Sequence, residues 1–143
     1  MRGDAGLQLE CVNELARRIR VKYPDVKIRI FAYVSTQEVA PEVKPEPNVM
    51  IWLCDLYTRC DHECPLGKGE LNAAQAKVVD DWAASGVKLE LWDYMLMGPK
   101  WGGRFPEVNA TALKSDAKFF RDRKVNRIFL ESSFAIDPLW DLN

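Results

Sequence analysis

Three carboxylates at equal intervals constrain this chain more than any other feature. Asp55, Asp93 and Glu131 recur 38 residues apart, and each lies at the end of an apolar run with strand character. The runs are Val49-Met-Ile-Trp-Leu-Cys-Asp55, Val87-Lys-Leu-Glu-Leu-Trp-Asp-Tyr94 and Arg127-Ile-Phe-Leu-Glu131, preceded by Lys27-Ile-Arg-Ile-Phe-Ala-Tyr33. Helical or loop segments separate them, so the spacing reads as a repeated strand–loop–helix unit, the signature of a parallel sheet. Reactive groups at the carboxyl ends of parallel strands are how a (β/α) barrel assembles a site, because its βα loops converge there. Carbohydrate or small-molecule chemistry on an α/β sheet is the leading expectation.

Length sets the scale. A full barrel takes about 250 residues, whereas this chain has 143 and offers four strands. Half a barrel cut from a longer protein, a small open sheet, and two paired copies all fit that count. Residues 1–143 read as a single domain.

The helices follow from periodicity. Leu7, Cys11, Leu15, Ile19 and Tyr23 repeat every four residues, which predicts a helix from about Leu7 to Tyr23 with that stripe inward. A second helix is expected from about Leu71 to Ser85, burying Leu71, Ala74, Val78 and Trp82, with Gly86 as a left-handed stop. A third should start near Asn109, a suitable N-cap, and run to about Lys124 on Ala110, Leu113, Ala117 and Phe120. Between the first two strands, Pro41, Pro45 and Pro47 exclude a regular helix, so that crossover should be an extended loop.

Strand parity divides the sheet into two faces. Ile28, Ile30 and Ala32 with Val87, Leu89 and Leu91 should pack on helices. Lys27, Arg29, Phe31 and Tyr33, then Lys88, Glu90, Trp92 and Tyr94, then Arg127, Phe129 and Glu131 share the opposite face. That face is charged at its base and aromatic or acidic at its top. A barrel lumen with internal ion pairs fits this pattern, and so does a sheet open to water.

Asp93 and Glu131 are the catalytic candidates, since glycoside hydrolysis needs one carboxyl group as acid and another as base or nucleophile. Asp93 has the parity of Leu91, so it reaches the lumen only where the strand end bulges or bends. The competing reading makes Asp93 a turn cap and pairs Glu131 with Arg127 or Arg104. Tyr33, Trp92, Tyr94 and Trp101 are candidate sugar platforms, because a sugar's C–H face stacks on aromatic rings, while Trp52 is expected in the core. Cys54 and Asp55, with His62 in the next loop, complete the substrate-binding candidates. Cys54, Cys60, His62 and Cys64 match no common zinc spacing, so neither a metal nor another cofactor is expected. Cys60 and Cys64 could form a disulfide in an oxidising compartment or stay reduced in the cytosol.

Composition excludes some partners. Formal charge is −1 with Lys and Arg matched by Asp and Glu, giving no footprint for nucleic acid or an anionic membrane. No apolar run approaches the roughly 18 residues of a spanning helix, and Met1-Arg-Gly-Asp-Ala-Gly lacks the apolar stretch of a signal peptide.

Tyr23-Pro24-Asp25, Ala32-Tyr33, Pro45-Glu-Pro-Asn-Val49, Leu53-Cys54, Cys60 to Pro65-Leu66, Leu91-Trp-Asp-Tyr94, Phe105-Pro106 and Phe119-Phe120 form a wider pattern. The chain thereby resembles a bacterial domain of unknown function, number 4838, in the glycoside-hydrolase barrel superfamily that includes the α-glucuronidases. Trp-Asp-Tyr after a strand is the most specific piece. The resemblance implies the carboxyl-terminal half of a TIM-like barrel from a secreted or periplasmic carbohydrate-active protein. Two positions depart from the pattern: Cys64 stands where the family has His before Pro-Leu, and Glu107 where Asn follows Phe-Pro.

The resulting expectation is an α/β fold amounting to about half of a (β/α)8 TIM-like barrel, with four parallel strands and three helices. It would bind or hydrolyse a poly- or oligosaccharide as part of its parent, or serve as a non-catalytic binding or structural module. The isolated chain should be inactive as a hydrolase, since a barrel site draws on several strands. Its open strand edges should favour homo-oligomers.

Overall fold

The computed structural model describes residues 3–54, 65–70, 72–93 and 110–131. Helix α1 spans Asp4–Lys22, α2 Ala73–Ala84 and α3 Ala110–Asp122; strands β1 to β4 span Ile28–Ala32, Val49–Cys54, Lys88–Asp93 and Arg127–Leu130. The strands form one sheet in sequential order, and every neighbouring pair is parallel. This is the arrangement of about half a (β/α)8 barrel.

The β1–β2 crossover contains a short 3-10 turn at Val34–Thr36 and no α-helix, as its prolines require. Cover for that part of the sheet comes from α1, which precedes β1. Asn13 Nδ2 donates to the Lys44 carbonyl at 2.9 Å while its Oδ1 accepts from the Glu46 N–H at 2.8 Å. Asn48 Nδ2 donates to the Ala16 carbonyl at 2.9 Å. Trp82, fully buried on α2, donates its indole N–H to the Gln37 carbonyl at 2.7 Å and so fixes the start of the same crossover.

The core lies between the sheet and the helices, built from Leu9, Val49, Ile51, Leu53, Val79, Trp82, Leu89, Leu91 and Phe120. The strands and their aliphatic face agree with expectation; of the helix faces, Trp82 and Phe120 are buried as expected and other positions need correction. On α1, Leu7, Cys11 and Leu15 are exposed, as is Tyr23 just past its end, and Ala5, Gly6, Leu9, Asn13 and Ala16 face inward. Small residues let the helix approach closely, and Asn13 is drawn in by the loop backbone that it satisfies. On α2, Ala74 is exposed and Gln75, Val79 and Trp82 are buried. On α3, Ala117 is exposed and Ala112, Asp116 and Phe120 are buried. Gly86 adopts φ 76°, the left-handed stop expected after α2.

Candidate functional site

The face of the sheet away from the core carries a row of rings across all four strands. Phe31 and Trp52 stack at 4.9 Å with their planes 12° apart. Trp52 and Trp92 follow at 4.9 Å, and Trp92 and Phe129 at 4.5 Å, both tilted. The register explains the row: Phe31 lies beside Trp52, and Trp92 beside Phe129, so alternation sends all four side chains to one face. Trp52 is only half-buried there rather than in the core. Phe31 is 44% exposed and Phe129 43%, so a broad apolar surface is open at both ends of the row.

Below the rings lies the charged base. The buried Glu90 carboxylate sits 2.7 Å from Arg29 Nε and 3.9 Å from Arg127 Nε, linking β1, β3 and β4. The Arg29 guanidinium also lies 4.7 Å from the centre of a Trp52 ring, where the ring's quadrupole attracts it. Burying one carboxylate between two arginines avoids the unpaired charge that the interior would penalise.

Above the rings, at the carboxyl edge, stands Glu131. Its Oε2 accepts a hydrogen bond from the Trp92 indole N–H. Its backbone N–H donates to the Asp93 carbonyl at 2.7 Å, which extends the β3–β4 pairing past the last strand residue. The Trp92 indole, rather than Arg127, orients this carboxylate; Arg104, the other partner expected for it, lies outside the described residues.

Asp93 lies elsewhere. It pairs in regular register with Leu130, without a bulge, and is 2% exposed on the side shared with Leu91. The bend that would turn it toward Trp92 is not there. The structure therefore brings Glu131 and Trp92 together and leaves Asp93 on the helix side of the sheet. Cys54 has the parity of the aromatic face but is buried, and its carbonyl accepts from Gln37 Nε2 at 2.6 Å. Asp55, Cys60, His62, Cys64, Tyr94 and Trp101 lie outside the described residues. Among the described residues, no three His, Cys, Asp or Glu side chains are grouped to hold a metal ion, and no helix is long and apolar enough to cross a membrane.

Tyr33 follows β1 on the same edge and is half exposed. Its N–H donates to Thr36 Oγ1 at 3.1 Å, and that hydroxyl donates back to the Tyr33 carbonyl at 3.0 Å. The next residue, Val34, has φ 52°. A β-branched residue in the left-handed region is strained, and such strain concentrates at functional edges. Sequence reasoning missed Val34, since only a glycine or asparagine there would have signalled the turn. It also missed Asp116, a buried α3 carboxylate that accepts the Leu66 N–H at 2.6 Å and anchors the segment leading into α2. Desolvation raises its pKa, partly offset by that hydrogen bond.

Residues 2–140 match the family model described as a domain of unknown function (DUF4838). No curated protein and no solved structure matches the chain.

Proposed function

Since the chain belongs to the DUF4838 family, we propose that it is carbohydrate-active and that a sugar binds on the open aromatic face, at the carboxyl edge of the sheet. The observation that carries this reading is the Trp92–Glu131 hydrogen bond. It sets a carboxylate acceptor beside an indole ring where the βα loops of a barrel would converge. A pyranose could stack its C–H face on the rings while its hydroxyls donate to Glu131. Tyr33 would add a phenol at the same edge.

Glu131 is the carboxylate that this reading assigns to the sugar. Asp93 is assigned to the fold, because a buried group on the far side of the strand cannot protonate a glycosidic oxygen above Trp92. Hydrolysis by a parent protein would need a second carboxyl group about 5–10 Å from Glu131, supplied by another strand end. The 143-residue chain alone should then bind without hydrolysing. A secreted or periplasmic parent is the setting that this function implies.

The test is a titration of the chain with a panel of neutral and acidic oligosaccharides, read by tryptophan fluorescence and by NMR shifts of the indole N–H groups. Binding should be weak, with a Kd of about 1 mM. Glu131→Gln and Trp92→Ala should each weaken it about tenfold or more, and Asp93→Asn should leave it unchanged. A folded chain that shifts no indole signal with any sugar in the panel would sink the proposal. Loss of binding in Asp93→Asn with Glu131→Gln unaffected would move the site to the other carboxylate.

A further inference from the structure

The outward face of α1 carries apolar side chains that the fold leaves uncovered. Leu7 is 55% exposed, Leu15 50%, and Cys11 between them is exposed as a free thiol. Residues three, four and seven apart share a helix face, so Asp4, Leu7, Cys11, Leu15 and Arg18 form one stripe on the side away from Leu9 and Ala16.

The order of that stripe is self-complementary. About Cys11, leucines stand four residues to either side, and seven residues out an acid, Asp4, balances a base, Arg18. Turned end for end, the stripe sets leucine against leucine and acid against base. The helix as a whole has the same polarity, with Asp4 in its first turn and Arg20 and Lys22 in its last. Antiparallel packing would also bring opposite helix-dipole ends together. A patch that meets its own two-fold image in this way is an isologous interface.

We propose that this face docks a second copy of the chain, antiparallel, with the two-fold axis passing near Cys11. Leu7 of each copy meets Leu15 of the other, and Asp4 meets Arg18. Arg18 already bonds Glu14 at 2.8 Å on an exposed surface, its side chain 77% accessible, so it can accept a further carboxylate without leaving that pair. The contact is small, and association should depend on concentration. The sugar-binding face lies on the other side of the sheet and stays open in such a dimer.

Sedimentation of the 143-residue chain should show dimer at about 200 µM, a concentration suited to a small interface. Leu15→Glu should raise the dissociation constant about tenfold or more without moving the Tm measured at high dilution, where the chain is monomeric and the side chain half exposed. Asp4→Arg should weaken the dimer, and Asp4→Arg with Arg18→Asp should restore it. In a Cys60→Ser, Cys64→Ser background, copper-phenanthroline and oxygen should join two Cys11 thiols, which lose two protons and two electrons to the oxidant as the S–S bond forms. Cys11→Ser should abolish that product. A monomer at about 200 µM would overturn the proposal. So would a dimer indifferent to Leu15→Glu, which would place the contact at the open strand edges, or a dimer that yields no Cys11 cross-link.

Discussion

The two faces of the sheet are built from the same strands by opposite means. Toward the helices, Val49, Ile51, Leu53, Leu89 and Leu91 are almost wholly buried aliphatics. They gain stability from close packing and removal of apolar area from water. On the other face, rings at 4.5–4.9 Å and a carboxylate between two arginines hold the strands side by side while Phe31 and Phe129 remain half in solvent. Alternation thus lets one strand carry a core residue and a surface residue in consecutive positions. Stability is concentrated on one face and the proposed ligand chemistry on the other, so the two should respond differently to mutation.

The largest effect should come from the aliphatic face. Ile51→Ala leaves a cavity under fully buried neighbours and should cost about 4 kcal/mol, measured by urea unfolding, with the proposed sugar binding intact at temperatures where the chain stays folded. A cost under about 1 kcal/mol would erase the distinction between the faces.

Next comes the charged base of the aromatic face. Arg29→Ala leaves the buried Glu90 with only the more distant Arg127 and should cost about 3 kcal/mol, whereas Arg29→Ala with Glu90→Leu should recover most of it. Failure of the double variant to recover would show that Arg29 acts mainly by packing on Trp52.

A third prediction concerns pH. The folded-state pKa of Asp116 is raised, chiefly by burial, so its contribution favours the folded state below the unfolded pKa and is lost as pH rises through the folded pKa. Stability of the native chain relative to Asp116→Asn should therefore fall from acid toward neutral pH and level off above the folded pKa. Asp116→Ala, which strands the Leu66 N–H, should cost about 1–3 kcal/mol relative to Asp116→Asn at any pH. A flat difference between the native chain and Asp116→Asn would mean that the carboxylate is ionised without penalty.

The smallest stability effect is expected at the open rings. Phe129→Ser should cost about 1 kcal/mol, because much of the ring is already in water, yet it should weaken the proposed sugar binding severalfold. A large stability loss there would make the row a second core.

The strands were legible in the sequence because a period of two survives any detail of packing, and the carboxylate spacing marked three of their ends. The helix faces were legible only in part: Trp82 and Phe120 are buried as expected, while a single cause displaces the rest of the stripe on all three helices. Each helix buries a polar residue that binds loop or side-chain amide groups: Asn13 the crossover backbone, Gln75 the Gln37 amide at 3.1 Å, and Asp116 the Leu66 N–H. An apolar-period reading passes over such a residue and shifts the inferred stripe sideways. Parity placed Glu131 with Trp92 and Asp93 with Leu91; the sequence left open a bend at the end of β3, and the regular register of Asp93 with Leu130 closes that question.

Asn13 also bears on how the chain tolerates changes in length. Surface loops usually absorb insertions and deletions. Here the stretch from Lys44 to Asn48 is stitched to α1 at three points through residues 31 to 33 positions away, and Asn48 leads directly into β2. Adding one residue between Lys44 and Asn48 would force a choice between the register of β2 against β1 and the seating of α1. In the descent of such chains, this segment should keep its length where an ordinary crossover would drift.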